Sequence, residues 1–245
     1  MHRFYPDPAR GADGLEYLTK EDARHALKVL RLREGDRVEM LTEGGRWIAG
    51  IDGIRGEEVA LRKLEPLPST EPSLQVTLFQ GLPKADKMDL IVQKATELGV
   101  SRIVPLAMER SVTRIAPADS ARKTERWQKI AREAGKQSGR CVIPVVEPPA
   151  TVQRLCARSD LPSFSIVPWE DTREGGLLGF HAAHPEAKSI GVLIGPEGGI
   201  SAAEMAGLEA AGFIPVTLGR RILRTETAGP AAIAALMCLY GEMEQ

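Results

Sequence analysis

Between Leu218 and Pro230 the chain reads LGRRILRTETAGP, which crowds Arg220, Arg221, Arg224, Glu226 and two threonines into one connection. Guanidinium groups this close repel one another unless an anion or a strong acceptor lies among them. The stretch therefore reads either as an ion-pair network tying a loop down or as the cationic wall of a binding site. Such a wall can stabilise negative charge that develops on a bound group. Thr225 or Thr227 is placed to cap the helix that follows. About twenty residues upstream lies a second unusual loop, Gly195-Pro196-Glu197-Gly198-Gly199. It lacks the Lys-Ser/Thr ending of a P-loop and the spacing of a dinucleotide fingerprint, so neither ATP nor NAD chemistry is supported. Three glycines in five residues let the backbone approach a flat ligand or take positive φ. Glu197 is either part of that site or a plain carboxylate near a helix N-terminus.

Other chemistries have little to stand on. His181 and His184 are spaced i, i+3 with no third ligand nearby, so no metal is expected. His25 reads as a structural histidine, and no Ser/His/Asp or Cys/His arrangement suggests a nucleophilic hydrolase. Cys141, Cys156 and Cys238 are odd in number and form no CxxC pair. They are expected to be reduced, buried thiols in a cytoplasmic protein. Arg3 and Phe4 set a cation beside an aromatic at the N-terminus, with strand packing and a solvated arginine as the alternative. Only 4% of residues are aromatic, so any RNA binding must lean on arginine and shape more than on stacking.

The elements that must position the two loops follow from periodicity. Thr19, with Asp22 three residues on, opens a helix over Glu21–Leu30. Strands are expected at Arg37–Thr42, Arg46–Ile51 and Glu58–Leu64, the first two joined through Glu43-Gly44-Gly45 as a hairpin. Three prolines in Glu65–Pro72 read as a stiff linker, dividing a β-rich domain over 1–70 from a second domain over 73–245. In the second, strands at Leu74–Phe79, Arg102–Leu106, Val142–Val146, Phe164–Val167, Ile190–Ile194 and Phe213–Leu218 alternate with helices. The helices are marked by the stripe Met88, Ile91, Val92, Ala95 and Leu98 ended by Gly99, by Ala121–Gln137, by the capping box Ser201/Glu204, and by the apolar run Ala231–Tyr240. That alternation predicts an α/β domain with a mainly parallel sheet, with ligands beyond the carboxyl ends of its strands.

Composition sets outer bounds. With 245 residues, 43% of them hydrophobic, the chain can bury a substantial core. No run is long enough to span a bilayer, and the N-terminus does not resemble a signal peptide. The net charge of −1 is unevenly spread. From Arg102 to Arg140 there are ten basic residues against four acidic; from Cys141 to Gly219, four against nine. The basic segment reads as a face for a polyanion or as a solvated helix surface.

Several phrases are distinctive when taken together: Gln80–Lys84 (QGLPK), Met88–Gly99, Glu109–Val112, Gln137–Arg140, Ile194–Gly199, Leu218–Ala228 and, near the start, Val29–Asp36. In that order and over nearly the whole chain they resemble the bacterial ribosomal RNA small subunit methyltransferase E family of the SPOUT superfamily. Departures are Gly135-Lys136, where the family more often has Ala-Glu, and Gly81, often Ala. The resemblance implies an N-terminal PUA-like RNA-binding β-barrel and a C-terminal α/β domain whose parallel sheet passes through a deep trefoil knot. It also implies a homodimer, S-adenosylmethionine as cofactor, and 16S rRNA in the 30S subunit as partner, methylated at N3 of uracil 1498.

On that resemblance, Ile194, Gly195, Pro196, Glu197 and Gly198 with Leu218, Gly219, Arg221, Ile222, Leu223 and Arg224 would hold the cofactor. Uracil N3 must lose a proton and its imidate must be stabilised, so Arg224 and Arg3 are expected as donors to the carbonyl oxygens. Glu226 or Glu197 is expected as proton acceptor or orienter. The RNA would contact Arg3, Phe4, Arg24, Arg31, Arg33, Lys84, Arg110 and Arg140. Two rivals stay open: a related methyltransferase acting on transfer RNA or another ribosomal position, and an RNA-binding protein without catalysis.

Overall fold

A computed structural model describes residues 1–12, 14–173 and 175–244. They form two units, one of Met1–Glu71 with Gly135–Val142 and one of Pro72–Ala134 with Ile143 onward.

The first unit is built from β1 (Arg3–Phe4), β2 (Pro6–Ala12), β3 (Leu15–Leu18), α1 (Lys20–Arg24), β4 (Arg37–Thr42), β5 (Gly45–Arg55) and β6 (Glu58–Leu67). One sheet joins the strands in the order β1-β4-β5-β6-β3-β2, with β1 parallel to β4 and the other pairs antiparallel. Its two edge strands, β1 and β2, are separated in the chain by Tyr5 alone. A single residue cannot cross a flat six-stranded sheet, because neighbouring strands lie about 4.8 Å apart. The sheet must curl until its edges approach, around a core of Phe4, Leu18, Val38, Met40 and Leu61.

Two sequence expectations change here. The linker begins later, because Glu65, Pro66 and Leu67 pair with Ile48, Trp47 and Arg46 as the end of β6. The helix after Thr19 keeps α geometry only to Arg24 and continues over His25–Val29 as a π-turn. Thr19 does accept from the Asp22 amide.

Gly135–Val142 has specific work within this unit. The Tyr5 hydroxyl donates to the Arg140 carbonyl at 2.7 Å. A Cβ at position 135 would come within 2.7 Å of that hydroxyl, so glycine is what the helix can carry there. Lys136 pairs with the buried Asp22 at 2.8 Å. Gly135 and Lys136 thus have their own partners, Tyr5 and Asp22.

The second unit contains β7 (Gln75–Gly81), α2 (Lys87–Glu97), β8 (Arg102–Ala107), α3 (Pro117–Ser138, with its residues from Gly135 on in the first unit), β9 (Val145–Val146), β10 (Ala150–Thr151), α4 (Val152–Cys156), β11 (Phe164–Pro168), α5 (Leu177–Ala183), β12 (Ser189–Ile194), α6 (Ala202–Ala210), β13 (Phe213–Val216) and α7 (Thr225–Leu239). Every strand pair is parallel, in the order β10-β8-β7-β12-β11-β13 with β9 beside β8. β7, β8 and β12 are buried almost throughout, as a parallel sheet covered on both faces requires. Met88, Ile91, Val92 and Ala95 of α2 share one core cluster with Ala232, Ile233 and Leu236 of α7. Leu155 of α4 and Leu208 of α6 belong to another.

Three elements differ from expectation. The strand expected at Val142–Val146 shrinks to Val145–Val146, and the one expected to reach Leu218 stops at Val216. The last helix begins at Thr225, with Pro230 inside it. Its first turn therefore contains Thr225, Glu226 and Thr227, which the sequence reading placed in the connection. The cysteines are free, but only Cys141 is buried; Cys156 is half-buried and Cys238 exposed.

Candidate functional site

β12 ends at Ile194, and the chain then turns sharply before the helix α6. The turn closes with the Gly199 amide donating to the Pro196 carbonyl at 2.9 Å, Gly199 at φ 73°. A Cβ on Gly198 would sit 2.7 Å from the Arg110 carbonyl, so only a bare backbone fits. A Cβ on Gly81 would meet Pro196 at 2.7 Å, so glycine lets the end of β7 approach the glycine loop. The Ser201/Glu204 capping box then fixes the start of α6.

The arginine-rich connection, residues 217–224, leaves β13 at the sheet edge and returns to α7. Among the described residues, Arg220, Arg221 and Arg224 form no ion pair and donate no side-chain hydrogen bond. All three are exposed. The ion-pair reading of this loop therefore fails, and three guanidiniums face solvent together. Neither threonine caps α7 with its side chain; Arg224 holds the N-cap position. Thr225 is instead buried, donating to the Gly195 carbonyl at 2.7 Å and accepting from the Gln80 amide at 2.9 Å. One hydroxyl thus ties the glycine loop to the start of α7.

The two loops enclose a cavity of about 830 Å³ at the carboxyl end of the sheet. Ile194, Gly195, Pro196, Glu197, Gly198, Leu218, Gly219, Arg221, Ile222, Leu223 and Arg224 all line it, with Arg220. Trp169, Glu170, Asp171 and Arg173 after β11 and Lys87 at the start of α2 complete the wall. The sequence reading missed both groups. Residues just past the end of β11 could have been found, since ligands sit beyond such strand ends. Lys87 also carries a signal: a cation in the first turn of a helix opposes the macrodipole and needs compensation.

That compensation is visible. Lys87 Nζ lies 3.0 Å from Glu197 and 3.1 Å from Glu226, the second an ion pair outside hydrogen-bond alignment. Glu197 also accepts from the Lys84 amide at 3.1 Å. Burial alone would raise the Glu197 pKa, but Lys87 and the backbone N–H donors outweigh it and hold it below the usual carboxylate range. The backbone amide at the helix start, with Lys87, lowers Glu226. The two carboxylates, Glu197 foremost, raise Lys87. Glu226 itself does not line the cavity.

The expected RNA contacts separate into three sets. Arg24, Arg31 and Arg33 are exposed on the first unit, Arg31 at φ 56°, and Arg24 lies 3.6 Å from Glu57. Lys84 and Arg110 are exposed beside the glycine loop, Arg110 reaching the Gly198 carbonyl at 3.4 Å. In the third set, Phe4 and Arg140 are corrected and Arg3 is partly engaged. Phe4 is 1% exposed in the core of the first unit and cannot stack on a base. Arg140 is 4% exposed and bound to Glu71 at 2.8 Å, which removes it from any phosphate contact. Arg3 donates through Nε to Glu39 at 2.9 Å and through Nη1 to the Gln137 carbonyl. The basic segment from Arg102 to Arg140 is likewise less cationic than its count, because Arg102, Arg126, Lys136 and Arg140 are ion-paired. No described helix is long and apolar enough to cross a membrane, and no three described His, Cys, Asp or Glu side chains are placed to hold a metal.

A parallel α/β sheet with a glycine-lined, arginine-walled cavity at its carboxyl end defines a class, and two family models give it a description. "RNA methyltransferase domain" matches residues 70–237, and "RNA methyltransferase PUA domain" matches residues 18–64. The ribosomal RNA small subunit methyltransferase E of Bacillus subtilis is 33% identical over 225 residues, covering 89% of this chain and 88% of that one. Its namesake in Aquifex aeolicus is 32% identical over 238 residues, covering 97% and 99%. A crystal structure of the Neisseria gonorrhoeae enzyme of that name, bound to S-adenosyl methionine, superposes with a TM-score of 0.84 at 34% identity, covering 98% of each chain. The chain belongs to the ribosomal RNA small subunit methyltransferase E family.

Proposed function

We propose that this protein methylates 16S ribosomal RNA in the small subunit, at N3 of the uridine corresponding to position 1498, with S-adenosylmethionine seated in the cavity. The observation that carries the reading is three guanidiniums without carboxylate partners facing a cavity floored by bare glycine backbone. The residues suit the cofactor. Ile194, Leu218 and Leu223 offer apolar edges to a flat base, while the glycine loop and residues 217–223 offer backbone donors and acceptors. The volume also suits a ligand of that size. When bound, the cofactor supplies an electrophilic methyl group on a sulfonium.

The chain's own residues supply the rest. Arg224, at the N-cap of α7, is set to donate to a uracil carbonyl oxygen as N3 loses its proton. Arg220 and Arg221 would add positive potential for the RNA backbone. Glu197 and Glu226 are held ionised by Lys87, and Glu197, whose oxygens accept from Lys84 and Lys87, suits the orienting role better than that of proton acceptor. Arg3 keeps N–H groups beyond those given to Glu39 and Gln137, which we assign to RNA. The base must leave its stack to reach the site. The reading includes a dimer of this chain, a cytoplasmic location and a deep trefoil knot at the C-terminal end of the parallel-sheet domain.

Nucleosides from unmodified 30S subunits incubated with protein and cofactor should contain 3-methyluridine by mass spectrometry. Arg224→Ala should lower the rate by about 100-fold or more, the usual cost of one oxyanion donor. A methyl mark in transfer RNA or at another ribosomal site, no mark at all, or wild-type turnover in the variant would overturn the assignment.

A further inference from the structure

The geometry points to Lys87 as a positioning residue that holds the glycine loop against the first turn of α7, keeping the cofactor cavity in shape. The inference deepens the proposed function and rests on it.

Lys87 sits on a rigid base. It is the first residue of α2, and Met88, Ile91 and Val92 that follow are buried in the core. A cation there opposes the helix dipole, so the position is unfavourable unless something offsets it. Two carboxylates do, and they come from different segments: Glu197 from the turn after β12, Glu226 from the first turn of α7. Both segments contribute to the cavity wall, and one ammonium at the start of α2 joins them.

The other charged groups nearby do not duplicate this role. Lys84 meets Glu197 through its backbone amide, Arg224 acts on Glu226 only at longer range, and Asp86 and Asp89 of the same element face Arg126. Without the ammonium, two carboxylates would face each other with no cation between them. Like charges that close raise one pKa, so the pair would be strained when both ionise and relieved when one takes a proton. In the native protein Glu197 and Glu226 lie below their ordinary range and Lys87 above, so all three stay charged from about pH 5.5 to 8.5.

The experiment measures binding of S-adenosylhomocysteine by calorimetry at pH 5.5 and 8.0, in the full chain. Wild type should bind equally at both. Lys87→Met, similar in length but uncharged, should bind about tenfold more weakly at pH 8.0 and recover most of that loss at pH 5.5. Adding Glu226→Gln, which lies outside the cavity lining, to Lys87→Met should restore binding at pH 8.0, and Lys87→Arg should stay within about threefold of wild type. Wild-type binding by Lys87→Met at both pH values overturns the positioning role. So does a loss equal at both and unrelieved by Glu226→Gln, which would mean Lys87 acts by packing alone. If wild type itself binds no nucleoside, the reading of the cavity fails first, and this role with it.

Discussion

Replacing Thr225 with valine isolates the tie beneath the cavity. Valine keeps the shape of threonine and deletes only the hydroxyl, so the cost comes from hydrogen bonds and not from a void. Two bonds are lost: one to the Gly195 carbonyl at 2.7 Å and one from the Gln80 amide at 2.9 Å. Both sites are dry, with Thr225 6% exposed and Gln80 fully buried. Rotating the Gln80 amide gives no relief, because its other N–H already serves the Gly81 carbonyl at 3.0 Å. Each buried group left unpaired costs about 1–3 kcal/mol, and partial relaxation brings the total to about 3 kcal/mol. With a urea m-value of about 2–3 kcal/mol/M, the midpoint should fall by roughly 1 M with m unchanged. Thr225→Ser keeps the hydroxyl and should lose about 1 kcal/mol. Gln80→Leu combined with Thr225→Val should cost less than the sum of the single changes. A Thr225→Val loss below about 0.5 kcal/mol, or one matched by serine, would refute the tie.

Other expectations concern the first unit. Burial alone would raise the Glu39 pKa, but hydrogen bonds from Arg3 and Arg46 outweigh it and hold it below 4.5. A depressed carboxylate adds stability that is present above its unfolded pKa and lost as pH falls through the folded value. Glu39→Gln should therefore destabilise at pH 7 and flatten the decline below about pH 4.5 in urea midpoints; an unchanged pH profile counts against the pairing. Gly135→Ala should cost about 1–3 kcal/mol despite its better helix propensity, with Tyr5→Phe recovering part of the loss; a stabilised Gly135→Ala would show that Tyr5 moves freely. Arg31→Ala with Arg33→Ala should weaken RNA binding and lower its salt slope by about 2; an unchanged slope would take both arginines off the RNA.

Local signals in the sequence translated well where the structure they specify is also local. The Ser201/Glu204 box, the Thr19 cap, the apolar stripe of α2 and the strand Arg37–Thr42 depend on residues a few positions apart. The two cavity loops were legible for a related reason: uncompensated arginines and clustered glycines are costly unless used. What escaped was set by distant partners. Arg140 looked like a phosphate contact because nothing local shows that Glu71 takes it inside. Phe4 looked available for stacking because the strand burying it, β4, lies more than thirty residues on. Pro66 argued for a linker, yet an edge-compatible residue can end a strand when its carbonyl serves the ladder. Pro230 likewise hides the true start of α7, since proline favours a helix beginning and five helical residues precede it here.

The return of residues 135–142 to the first unit has a consequence for how the polypeptide matures. A fragment ending at Glu71 would leave Asp22 without Lys136, Tyr5 without the Arg140 carbonyl, and Glu71 without its guanidinium. During synthesis the first unit therefore stays incomplete, although all its strands are present, until much of the next unit has already left the ribosome. No single cut yields two self-sufficient pieces, and the order of emergence is not the order in which the parts become whole.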